Sequence, residues 1–368
     1  MIKQTLVLLL FISVALAVVI KTPLQKHTST NFSASRFSSK NRLQRHGSRL
    51  SKGSTSLADY VDSLYMFNVT VGTPGRQFQV ILMVIVTNHI TEFGGKWKKD
   101  KYDPALSSTS KLVNGDFHYN FDEVYGDLYS DVLSFDDNLK IDSQTFGSAY
   151  MLLDYYGYFP LDGVLGFGWQ GLSQNPDTYV LQNIIPKLDA PVFTIWLDRH
   201  VKAPEGQKGG LLTLGGVDST NCDSSITYVS LDTETYWQFS VDGFQMGSHV
   251  NKKQNQPLIL GPQNDVDYIL RMAGAAYDET TGLNLIDCSA NPPDLVFTLS
   301  GTQLTVAANE LIIDANLPNI KQCAFMVDYS AFDDNVDWVL GVPFLRTYCA
   351  IHDFSGKIGF AKAHHSEI

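Results

Sequence analysis

Two short runs decide how this chain is read: "DGVLGFG", Asp162 to Gly168, and "DWVLGVPF", Asp337 to Phe344. Each sets two apolar residues before a glycine, Val164-Leu165-Gly166 and Val339-Leu340-Gly341, and the second core follows the first by 175 residues. An offset of about half the folded chain predicts duplication into two lobes. Gly, Tyr, Phe, Thr and Val recur in short runs and helical apolar spacing is scarce, so both lobes are expected to be mostly β. "PVFTIWLD" and "GGLLTLGGVDSTNC" read as consecutive strands near the lobe junction. Residues 176–188, with Leu181, Ile184, Ile185 and Leu188 on one face, read as a short amphipathic helix.

Length and composition agree with a two-lobed body. The chain has 368 residues, 44% hydrophobic and 18% charged, which is enough apolar material for a sizeable core. Its first residues, "MIKQTLVLLLFISVALA", join Lys3 to an apolar run and end on small residues, the layout of a secretory leader over 1–17. No later segment approaches membrane-spanning length, so a soluble, extracytoplasmic protein without a membrane partner is expected. Residues 18–56 are rich in Ser, Thr, Lys and Arg and read as a flexible, basic, removable prosegment.

Charge is split along the chain. Residues 1–58 hold nine of the 27 Lys and Arg and no acid, which leaves 18 basic against all 38 acidic residues in the remainder, a net of −20. A basic arm is expected to lie against that acidic body, and the body repels nucleic acid. Cys222, Cys288, Cys323 and Cys349 suggest two disulfides in an oxidising compartment, with three pairings open. No C-x-x-C or H-E-x-x-H spacing occurs, so no metal site and no cofactor are expected. "GFGWQG", Gly166 to Gly171, matches G-x-G-x-x-G, but a dinucleotide site needs a helix opening at it inside a βαβ unit, and the surroundings read as strand.

Collinear segments then carry a resemblance: "YMFNVTVGTPGRQFQV", "KYDPALSSTS", "LDGVLGFG", "GGLLTLGGVDSTNC", "IDCSANPPDLVFTLSG" and "DWVLGVPFLRTYCAIHDFSGKIGFAKA". From about Leu57 to the end the chain resembles the pepsin-like aspartic proteases of the pepsin and cathepsin D type. The resemblance implies an all-β, bilobal fold with a central cleft, an N-terminal lobe over 57–198 and a C-terminal lobe over 199–368. In that family each lobe gives one aspartate from a D-T-G motif; the pair shares a proton and activates a water.

The resemblance fails at both motifs. Counting from Gly72-Thr73-Pro74, the first falls on Met83-Val84-Ile85, followed by Val86 within "VILMVIV", Val80 to Val86. At the second, "NKKQNQPLILGP" either sets Lys253 in the aspartate's place or lacks that strand altogether. No catalytic residue is expected on either reading. Asp265 and Asp267 are expected at a helix start, and Asp122-Glu123 in an exposed loop, so neither pair replaces the dyad. In the flap region the family's tyrosine falls on Tyr119, with Asn120 and Asp122 where flap glycines stand.

The resemblance also implies a Cys288–Cys323 bridge and with it Cys222–Cys349. Asn68 in "NVT" and Asn31 in "NFS" are glycosylation acceptors by pattern. The expected protein is a secreted or endolysosomal, monomeric, non-proteolytic homologue that holds extended peptides or a protein partner in its cleft. The alternative is an acid endopeptidase whose sequence here reflects an atypical transcript or gene model.

Overall fold

The computed structural model describes residues 6–8, 20–27, 64–83, 89–91, 99–119, 124–135, 139–151, 161–173, 175–198, 208–251, 259–314, 320–329 and 338–365. Strands dominate, and the helices are few and short. Two strands precede the body: β1 (Leu6–Leu8) and β2 (Ile20–His27).

The N-terminal half opens with a hairpin. β3 (Leu64–Val71) and β4 (Arg76–Met83) pair antiparallel from Val71↔Arg76 to Met66↔Ile81. Gly72, at φ 90°, supplies the left-handed backbone of their turn. β5 (His89–Thr91) follows, then a meander of β6 (Lys111–Tyr119), β7 (Val124–Ser134) and β8 (Lys140–Met151). Alternation along β7 buries Val124 and Leu128 on one face, as a half-buried strand requires. Gly126 stands where β7 meets β8 so closely that a Cβ would lie 2.2 Å from the Ser148 carbonyl oxygen. β9 (Gly163–Gly166) closes the lobe.

The expected helix over 176–188 is broken into three pieces. A 3-10 turn at Pro176–Thr178 leads into α1 (Val180–Ile184), and a second turn covers Ile185–Lys187, where Pro186 cannot donate to a continuing helix. Val180, Leu181 and Ile184 are buried, so the apolar face is real although the helix is short.

In the C-terminal half β10 (Val192–Leu197) and β11 (Lys208–Leu214) are antiparallel neighbours. β12 (Cys222–Glu234), β13 (Trp237–Phe239), β14 (Gly243–Met246), β15 (His249–Asn251) and β16 (Ile259–Gly261) lead to α2 (Gln263–Ala273). α2 buries Val266, Ile269, Leu270 and Ala273, a stripe at helical spacing. Gly274 ends it at φ 74°, its N–H returning to the Leu270 and Arg271 carbonyls. Asp265 lies in its first turn, as read from the sequence. Then come β17 (Ala276–Asp278), β18 (Leu283–Ile286), β19 (Leu295–Leu299), β20 (Thr302–Val306), β21 (Ile312–Ile313), β22 (Cys323–Phe325) and β23 (Asp328–Tyr329). β24 (Trp338–Leu340), α3 (Val342–Thr347), β25 (Tyr348–Asp353) and β26 (Lys357–Ala363) complete the chain.

One continuous ladder joins the halves. It runs β3, β2, β11, β10, β25, β26, β12, every pair antiparallel. β2 is the splice in it: Gln25↔Met66 pairs it to β3, and Leu24↔Gly210 to β11. This corrects the reading of the whole 18–56 arm as flexible. Polar composition argued for a solvated tail, but backbone pairing to two waiting edges overrides side-chain composition.

Behind the ladder lies an aromatic cluster. Trp237, Phe193 and His352 are fully buried, with the His352 imidazole stacked on Phe193 at 4.2 Å and 3°. Burial pushes the His352 pKa down to about 3, against smaller upward effects from the Ala350 and Phe193 backbone. Of the three pairings open to four cysteines, the chain has Cys222–Cys349 and Cys288–Cys323.

Candidate functional site

The two apolar-apolar-glycine runs occupy equivalent places. In the N-terminal half β9 lies between two strands: parallel to β4 (Val80↔Gly163 through Met83↔Gly166) and antiparallel to β5 (His89↔Val164). β5 in turn runs parallel to β8, and β4 antiparallel to β3. In the C-terminal half β24 lies parallel to β1 (Leu6↔Trp338, Val7↔Val339) and antiparallel to β16 (Ile259↔Leu340). β16 runs parallel to β23, and β1 antiparallel to β13. Strand for strand, the second pattern repeats the first.

In the first crossing a strand end meets a neighbouring glycine. In the first lobe that point is Met83 beside Gly166. Val84, Ile85 and Val86 lie outside the described residues, as does Lys253. In the second lobe the pattern is assembled differently. β4 continues directly toward β5, whereas β1 is far in sequence from β16. The chain passes from the end of β15 at Asn251 to β16 at Ile259 through residues 252–258 alone.

The hairpin β6–β7 stands where the sequence places a flap. Tyr119 is the last residue of β6, opposite Val124, and His118 stacks on Tyr125 at 4.2 Å. Asn120, Asp122 and Glu123 lie outside the described residues, as does Asn31. Asn68 is half-buried on β3, opposite Gln79.

Acids near the crossing are committed to backbone and hydroxyl donors. Asp162 accepts from the Gln79 N–H (2.8 Å) and the Asp100 N–H (3.0 Å). Burial raises its pKa, while those two bonds oppose the rise. Asp131, 1% exposed, accepts from the Tyr102 hydroxyl (2.8 Å), the Thr109 hydroxyl (2.6 Å) and the Val132 N–H (2.7 Å). Asp328 accepts from the Asn284 amide (3.3 Å) and the Tyr329 N–H (2.9 Å), and Asp267 from the Tyr329 hydroxyl (2.7 Å). Each of these bonds stays within its own half. Among the described residues no cluster of His, Cys, Asp or Glu could hold a metal ion, and no helix is long and apolar enough to cross a membrane.

A family model described as eukaryotic aspartyl protease matches residues 64–363, which contain the first crossing and all of the second except β1. The chain belongs to that family. As a member of the aspartyl proteases it is 33% identical over 399 residues to Aspartic protease 1 of Caenorhabditis elegans, covering 98% of this chain and 99% of the relative. It is 34% identical over 348 residues to Aspartic protease 17 of the same organism (88% and 89% covered). With Cathepsin D of Dictyostelium discoideum it shares 28% over 392 residues (98% and 99%). The aspartyl protease fold accounts for the mostly-β, duplicated architecture. Two strands of the structure, β1 and β2, were not expected from the sequence: Leu6–Leu8 lies within the run read as a leader, and Ile20–His27 carries no alternation strong enough to mark a strand.

Proposed function

We propose that this aspartyl protease-family chain is a non-proteolytic member that holds extended peptides between its lobes. The observation that carries the reading is Met83 at the end of β4, in parallel register with Gly166, where the resemblance expects the first aspartate. A thioether has no proton to exchange and no charge to activate water, so the acid–base division of labour of a carboxylate pair is not open to it. The short passage 252–258, with Lys253, supports the same conclusion for the second position. An extended peptide needs only backbone donors and acceptors to add to a strand edge, so binding outlasts the loss of the acids. The hairpin ending at Tyr119 is the edge we assign to it. The two disulfides favour an oxidising setting, outside the cell or in the endolysosomal lumen, with Asn68 as a glycan acceptor.

The test is hydrolysis. Purified protein is expected to leave denatured globin intact between about pH 2 and 6, the range in which a carboxylate dyad works. Cleavage that the family's transition-state inhibitor blocks would overturn the proposal. A second reading, an aspartic-type endopeptidase, draws support from relatives named aspartic protease that match almost end to end. Sequencing the expressed transcript across codons 80–90 and 245–262 separates the two: a D-T-G at either place favours the enzyme.

A further inference from the structure

We infer that the C-terminal lobe carries a strand-acceptor slot between β13 and β24, that the slot takes an extended apolar peptide parallel to β24, and that Leu6–Leu8 is its occupant in the full chain. The pseudo-repeat defines the slot. β4 fills the N-terminal equivalent, antiparallel to β3 and parallel to β9; β1 makes the same two pairings, with β13 and with β24. The difference is connectivity. Among the described residues the segment that pairs with both β13 and β24 is β1, far in sequence from either, and only residues 252–258 separate β15 from β16.

The chemistry of the slot selects its occupant. Trp237, Phe239, Trp338, Val339 and Leu340 on its flanks are all buried. Edges in such a place need a partner for each N–H and C=O, and a strand buried on both faces reads as a continuous apolar run. "TLVLLLF", Thr5 to Phe11, is such a run, without charge or proline. The local alternative, "NKKQNQP", brings two lysines and a proline, which a central strand rejects. A chain from which the leader has been removed leaves the slot open to another apolar strand, by the same strand addition used at other exposed edges. The inference goes beyond the reading of the cleft and holds whether or not the protein hydrolyses peptides.

Cross-linking tests it on the full chain, refolded without leader removal. Val7 lies opposite Gln238, so Val7→Cys with Gln238→Cys is expected to form a third disulfide beside Cys222–Cys349 and Cys288–Cys323, seen by non-reducing peptide mapping. Free thiols at 7 and 238 beside the two native bridges overturn the proposal. Val7→Pro alone removes an N–H from the strand. It is expected to speed amide exchange at Trp237–Phe239 and Trp338–Leu340 at least about tenfold; unchanged exchange there overturns it. A synthetic peptide of residues 3–11 is expected to bind the Val7→Pro chain one to one and to restore slow exchange. Equal binding to the unaltered chain, whose slot is filled, counts against Leu6–Leu8 as the occupant.

Discussion

Trp237 donates its indole N–H to the main-chain oxygen of Phe167 across 3.0 Å, a bond between the two halves in which both residues are fully buried. The acceptor follows β9 directly, and the donor lies on the strand that flanks β1. The Trp169 main-chain N–H donates to the Thr235 carbonyl oxygen alongside it (3.1 Å), so the segment after β9 is tied to the one entering β13 inside an aromatic cluster that includes Trp169, Phe193 and Phe354.

Trp237→Phe keeps most of the ring and removes the donor. It removes this buried hydrogen bond to the Phe167 carbonyl and opens a small cavity, together about 2–4 kcal/mol. The unfolding free energy from urea titration is expected to fall by that amount, through a lower midpoint with the slope unchanged.

His352 makes stability depend on acid. Its pKa falls from the ordinary 6.5 to about 3 on folding, so between those values the unfolded chain holds a proton that the folded chain refuses. Stability is full above about pH 6.5 and is lost as pH drops toward 3, by up to about 1.4 kcal/mol per unit. His352→Leu is expected to flatten that part of the profile, measured as unfolding free energy at matched pH for both chains. An unchanged slope would assign the acid sensitivity to the carboxylates instead.

Glu310 and Arg346 form a buried pair, Oε2 to Nε 3.1 Å, and the Arg346 guanidinium also donates to the Glu310 carbonyl oxygen. Removing one charge strands the other, so Glu310→Ala is expected to cost about 3–5 kcal/mol. Combining it with Arg346→Met removes the stranded cation and is expected to recover part of the loss. A double-mutant cycle in urea checks this.

The disulfides differ in what they close. Cys222–Cys349 spans 127 residues and Cys288–Cys323 spans 35, so by chain entropy alone the first contributes about 1 kcal/mol more. Cys222 and Cys349 are buried while Cys288 is exposed. Mild reductant is expected to open Cys288–Cys323 first, as alkylation mapping would show.

What was legible in the sequence was local. The paired runs at Val164 and Val339 announced the duplication because the glycine and its apolar neighbours are adjacent in the chain. Strands 192–197 and 208–214 declared themselves by composition, and of α2 only the start was expected, at Asp265 and Asp267. β2 was hidden because its partners, Met66 and Gly210, lie about 40 and 186 residues away, and nothing in "IKTPLQKH" names them. β1 was hidden for another reason: an apolar run of that length has the same composition whether it serves export or a buried strand.

The position of β2 changes what proteolytic maturation would mean. A cut anywhere between His27 and Leu64 severs the covalent link between Ile20–His27 and the rest, yet that octapeptide is laced on both sides, to Leu64–Met66 and to Lys208–Leu214. The product would be a nicked, two-chain protein in which a short fragment travels with the large one through purification and separates only in denaturant.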